Sequence, residues 1–74
     1  MAAVDVLSPL TGSVALLRAE DGARVERGDT VLEVESMKTF WPVEAPASGI
    51  VRLQVALGEV VGENQLVAII ETPG

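Results

Sequence analysis

Lys38 is the only lysine among the 74 residues of the chain, which also has no Cys and no His. Its ε-amine is therefore the one side-chain amine that an enzyme could convert to an amide. It stands in the run Glu35-Ser36-Met37-Lys38-Thr39. The absences around it are equally informative. Without Cys there is no thiol nucleophile, disulfide framework or thiolate metal site. Without His there is no imidazole base and no His-ligated metal. The carboxylates are scattered and show neither metal-ligand spacing nor the pairing that acid–base catalysis needs. The residues thus offer no catalytic set and no metal site, only one amine open to modification. Read alone, such a lysine is also compatible with an ordinary solvated side chain on a turn.

The elements that hold Lys38 are short strands. Val14, Leu16, Val31, Leu32 and Val34 lie in β-branched stretches, as do Ile50, Val51, Leu53, Val55 and the run Leu66–Ile70. Turn formers separate them, among them Thr11-Gly12, Asp21-Gly22, Gly28-Asp29, Ser48-Gly49 and Leu57-Gly58. Short strands with turns every several residues predict an all-β sandwich or barrel. Ala15–Glu20 has some helix formers but is too short between its glycines, and is read as strand. Gly12, Gly22, Gly49 and Gly58 are read as turn glycines that tolerate positive φ.

The chain also repeats itself. A shift of 37 residues places Pro9, Gly12, Val14, Leu16 and Ala19 on identical residues at Pro46, Gly49, Val51, Leu53 and Ala56. A shift of 36 pairs Gly22 with Gly58 and Val25 with Val61, and one of 35 pairs Val31-Leu32 with Leu66-Val67. This drift predicts single-residue length changes in two loops. The whole chain, 1–74, reads as one domain with halves at about 4–36 and 41–72. Halves of this size cannot bury a face alone. A two-fold axis relating them would place the linking turn at one end and the two termini together at the other.

That linking turn breaks a local rule. Tight hairpins favour Asn-Gly or Asp-Gly because the central residues need positive φ. The expected central pair here is Met37-Lys38, with no glycine between Glu35 and Trp41. Broken local rules tend to mark functional sites. Phe40 and Trp41 follow at alternating positions, so one is expected in the core and the other partly exposed near the turn.

Glu35-Ser36-Met37-Lys38 resembles the Glu-(Ala/Ser)-Met-Lys attachment motif of biotinyl domains, the biotin carboxyl carrier family. Ala45-Pro46-Ala47-Ser48-Gly49-Ile50-Val51 is similar to the Pro-x-x-Gly-x-Val segment that follows the motif there. Ser8-Pro9-Leu10-Thr11-Gly12 and Gly28-Asp29-Thr30-Val31-Leu32 resemble the family's sequence as well. The likeness runs from about Val4 to Glu71. It implies a flattened β-barrel of two four-stranded antiparallel sheets with quasi-two-fold symmetry and the lysine on an exposed hairpin. It further implies biotin attached covalently to Lys38 by biotin protein ligase. A biotin carboxylase and a carboxyltransferase, expected to be those of an acyl-CoA carboxylase, would then share the carrier. Glu35, Ser36, Met37 and Thr39 become candidate recognition residues, although Met37 could instead cover the hairpin and Glu35 could be an ordinary outward strand residue. Thr39 departs from the family pattern, where Met commonly follows the lysine. Ala19–Ala23 leaves no space for the protruding thumb that some carriers insert. The alternatives are a lipoyl carrier, whose motif usually has an acidic residue where Met37 stands, and an unmodified structural sandwich domain.

Composition sets the remaining expectations. The net charge of −6 argues against a nucleic-acid partner. The hydrophobic share of 49% argues against disorder. The first residues lack the basic and apolar regions of a signal peptide, and no apolar run approaches the roughly 20 residues of a membrane span. The chain is expected to be a cytoplasmic carrier with no catalysis of its own.

Overall fold

In the computed structural model, which describes residues 2–73, every regular element is a strand. The strands are β1 (Ala2–Leu7), β2 (Gly12–Leu17), β3 (Arg24–Val25), β4 (Thr30–Ser36), β5 (Thr39–Glu44), β6 (Gly49–Leu53), β7 (Val60–Val61) and β8 (Leu66–Thr72). They form two four-stranded antiparallel sheets, ordered β1-β8-β6-β3 and β5-β4-β2-β7. The sheets pack as a sandwich and are not closed into a continuous barrel. No helix of the described residues is long and apolar enough to cross a membrane.

The two halves interleave. Each sheet takes two strands from each half, and the operation that carries β1–β4 onto β5–β8 exchanges the sheets. The burial patterns of β4 and β8 are identical along their seven residues. Val31, Leu32 and Val34 are thus matched by Val67, Ala68 and Ile70, all six fully buried. Fully burying each larger aliphatic side chain contributes on the order of 1.5–3 kcal/mol. Neither half could gain this alone, because its inner face is covered by strands of the other.

Backbone hydrogen bonds repeat with the same operation. Ser8 N donates to Gln65 O at 2.9 Å, and Ala45 N donates to Asp29 O at 2.8 Å. Val14 N donates to Glu59 O and Val51 N to Ala23 O, both at 2.9 Å. A matching side-chain device closes two turns: Asp29 Oδ2 accepts from Glu26 N and Gln65 Oε1 accepts from Gly62 N, each at 2.9 Å.

These matches correct the sequence alignment of the halves. The shift is 37 up to Val14/Val51 and 36 from β3 onward. The single change is one extra residue within strand β2, not changes in two loops. Facing β4, the register of β2 slips between Val14 and Leu16, whereas β6 faces β8 without a slip. Ala15 is a β-bulge, which absorbs one residue without moving the neighbouring strands. Val31 matches Val67 rather than Leu66, and Leu16 matches Arg52 rather than Leu53. The identities Leu16/Leu53 and Ala19/Ala56 are therefore not structural equivalents.

Two glycines work by close approach rather than turn geometry. A Cβ on Gly12 would overlap the Glu35 carbonyl oxygen and lie 2.7 Å from Val34 Cγ1. A Cβ on Gly49 would overlap the Glu71 carbonyl oxygen in the same way. Gly22 and Gly58, as expected, have positive φ, both 87°.

The shape follows from the pseudo-axis. The distal ends of β1 and β5 meet at a cleft of about 330 Å³ whose lining includes the matched pairs Val6/Val43 and Pro9/Pro46. Their starting ends therefore point apart. Ala2 pairs with Thr72 at one end of the molecule, and Thr39 pairs with Ser36 at the other. The long dimension is 38 Å against 19 and 18 Å. Met1 and Gly74, the terminal residues themselves, lie outside the described range.

Gly12→Ala and Gly49→Ala should each lose about 1–3 kcal/mol of stability, the usual effect of overpacking. Gly28→Ala meets nothing within 4 Å and carries only the backbone strain of its φ of 92°, on the order of 1 kcal/mol. Urea unfolding midpoints of the three variants check this order.

Candidate functional site

The hairpin between β4 and β5 has a two-residue loop, Met37-Lys38, closed by the Ser36–Thr39 pair. Both loop residues are left-handed, with φ of 53° and 63°. Mirror-image turns of this kind match the strand twist and are the favoured short hairpin loops. Outside glycine, left-handed φ costs on the order of 1 kcal/mol or more per residue. The rest of the structure holds the turn against that cost. On one side β4 is anchored by fully buried Val34. On its other flank the Glu35 backbone is seated against the bare Cα of Gly12.

The site residues expected from the sequence separate into two groups. Met37 is 95% exposed, so it does not cover the apolar side of the hairpin. Lys38 and Thr39 are exposed with it, and Lys38 joins none of the ion pairs among the described residues. Ser36 and Glu35 are half-buried on β4, one and two residue pairs below the loop. The ε-amine thus projects from the tip with no carboxylate holding it. It is open to approach from the solvent side.

Neither Phe40 nor Trp41 is a core residue, which corrects the expectation for that pair. Phe40 is 53% exposed and Trp41 46%. Phe40 lies opposite Glu35 and Trp41 opposite Val34, so the alternation of faces holds. Trp41 takes the inward side, but β5 is an edge strand and its start lies beyond the closed core. Pro42 on the same strand has no N–H, which suits an edge position.

No cluster of acidic residues able to hold a metal exists among the described residues. Among the described residues there are three ion pairs, Arg18–Glu33, Arg24–Glu26 and Arg52–Glu71, at 2.7, 3.2 and 2.9 Å, each with its arginine open to solvent. Such pairs contribute little to stability, about 0–1 kcal/mol each.

The fold is thus a two-half sandwich that presents one lysine at the tip of a strained joining hairpin. The family model described as "Biotin-requiring enzyme" matches residues 4–70, and the chain belongs to this biotin/lipoyl domain family. The alpha subunit of mitochondrial methylcrotonoyl-CoA carboxylase from Glycine max is 40% identical over 62 residues, 82% of this chain. The chain spans only 8% of that subunit. The biotinylated protein TB7.3 homolog of Mycobacterium leprae is 35% identical over 69 residues, covering 92% of this chain and 97% of its own length. The urea carboxylase of Kluyveromyces lactis superposes with a TM-score of 0.88 at 36% identity, over 96% of this chain and 6% of that one.

Lys38→Gly should raise stability by about 1 kcal/mol, because glycine adopts the left-handed conformation without strain. A higher thermal midpoint for a variant that has lost its only lysine would show that the residue is not retained for folding.

Proposed function

We propose that Lys38 carries biotin and that the chain is the carboxyl carrier of a biotin-dependent carboxylase. The observation that carries this reading is the unpaired amine at the tip of a glycine-free hairpin. The whole chain, 1–74, acts as a single carrier domain in this reading. A biotin protein ligase presents biotinyl-AMP. The deprotonated Lys38 amine attacks its acyl carbon, the amide C–N bond forms, AMP leaves and the amine loses its remaining extra proton. When bound, the biotin ring supplies a nitrogen that accepts and releases a carboxyl group.

The chain's own part is mechanical. The Met37-Lys38 turn holds the attachment atom clear of the sandwich. Acylation removes the Lys38 charge and lengthens a flexible side chain into an arm. Tethering then raises the effective concentration of the reactive ring at both the biotin carboxylase and carboxyltransferase sites. Neither step needs an acid, base or oxyanion donor from the carrier, in keeping with its lack of His and Cys. Among acceptors we favour an acyl-CoA, a reading supported by the likeness to the methylcrotonoyl-CoA carboxylase subunit.

Incubation with purified biotin protein ligase, biotin and ATP should add one biotinyl mass to the intact chain, mapped by peptide mass spectrometry to Lys38. Lys38→Arg should stay unmodified while keeping its fold. Modification by a lipoyl ligase but not by the biotin ligase would assign the chain to lipoyl carriers instead.

A further inference from the structure

The pseudo-axis allows the two ends of the molecule to be compared residue by residue. It carries Thr39, Phe40, Trp41 and Val43 of β5 onto Ala2, Ala3, Val4 and Val6 of β1. Val43 and Val6 are both buried, so the two strands enter the core at equivalent points. Ahead of those points the ends differ. Where β1 starts, half-buried Val4 lies opposite Ile70, and a side chain of that size suffices. At the hairpin end an indole stands in the same place: Trp41 lies opposite Val34 and is 46% exposed. Folding therefore does not call for an aromatic residue here. The exposed part of the indole amounts to roughly 100 Å². It is largely apolar surface, held in water close to Lys38.

Trp41 is also held ready for a contact. Pro42 follows it, and the residue before a proline is restricted to extended backbone. An indole has few side-chain torsions to fix, so touching it costs little entropy. Its Nε1–H joins none of the side-chain hydrogen bonds among the described residues. The side chain thus offers a flat apolar face and a donor free for a ligand, on the inward side of β5 and beyond the closed core.

We infer that Trp41 is a resting site for the bicyclic ring carried by Lys38. This rests on the proposed attachment of biotin. The chemistry of the ring fits an indole. Its thioether and hydrocarbon edge suits the aromatic face, where sulfur contacts are favourable. Its ureido carbonyl can accept from Nε1. Distance permits the contact. The three residue steps from Lys38 to Trp41 span about 10 Å of extended chain. The lysine stem joined to the acyl chain is longer than that, so the arm can double back. Tethering decides the magnitude. A short flexible link gives an effective concentration on the order of mM. A contact with a Kd of about that size is then formed about half the time, although it would be negligible between separate molecules at micromolar concentration. The arm is split between a docked and a free population, and each enzyme it serves draws on the free one.

The test uses the fact that Trp41 is the only tryptophan. Biotinylated and unmodified chains are compared by acrylamide quenching of its fluorescence. Acrylamide is neutral, so the net charge of −6 does not bias its approach. Loading should lower the quenching constant about two-fold, as for a ring that covers the indole about half the time. A chain acetylated at Lys38 loses the same charge without gaining the ring, and should quench like the unmodified chain. Phe40 lies on the outer side of β5, opposite Glu35, so Phe40→Ala should leave the fall intact. The second readout needs no fluorescence. Trp41→Val installs the residue found at the equivalent position in β1. Its loaded form should be captured by streptavidin about twice as fast as the loaded parent chain, because no fraction of the arm is withheld. Thermal melts verify that both variants fold. An unchanged quenching constant on loading, an equal fall on acetylation, or a fall that disappears in Phe40→Ala overturns the resting site while leaving Lys38 as the acceptor. So does an unchanged capture rate for Trp41→Val. If the parent chain accepts no biotin from the ligase, the carrier reading itself fails, and the resting site with it.

Discussion

Neither half of this chain can cover its own apolar face, and every larger feature follows from that. The solution is exchange: each sheet is completed by strands from the other half. Val31, Leu32 and Val34 gain their burial from the same packing that buries Val67, Ala68 and Ile70. With only aliphatic side chains and no disulfide, the core depends on close fit. Gly12 and Gly49 show how close, since a single methylene at either would displace a neighbouring carbonyl. The two glycines sit at the same point of the repeat because each seats the end of a long strand, β4 or β8.

Exchange also decides what the joining turn can do. β4 and β5 are antiparallel neighbours in one sheet, so a two-residue hairpin is enough to connect the halves. Its two residues are held left-handed by well-anchored strands, and the strain is carried by the fold rather than relieved by glycine. The result is a lysine whose backbone position is fixed while its side chain is free. A reactive group attached there would be placed by the hairpin and dispersed by the arm, two tasks divided between backbone and side chain.

Much of this was legible in the residues. The order of Pro, Gly and Val in both halves revealed the repeat, and the missing glycine near Lys38 revealed the strained turn. The lone lysine stands out because the chain has no Cys or His beside it. What escaped was what depends on register. Ala15 gives no local sign of being a bulge, so the residues alone place a one-residue insertion in the loops rather than in a strand. The chance identities Leu16/Leu53 and Ala19/Ala56 reinforced that reading. Gly12 and Gly49 looked like turn residues because close approach of another strand leaves no trace nearby in the sequence. Phe40 and Trp41 alternated as expected, yet alternation assigns a face and not a depth. Burial on an edge strand is set by where the facing sheet stops.

The pairing of Ala2 with Thr72 bears on movement. The first and last strands meet there, and the Lys38 tip lies at the opposite end of a body 38 Å long. Any tether attached there acts as a pivot, with the sandwich as a stiff lever. A small swivel at the pivot would sweep the lysine along a wide arc without bending a single hydrogen bond in the sheets. Coarse travel would then belong to the rigid body and fine placement to the side chain, so the reach of the tip is set by the proportions of the fold before any partner is met.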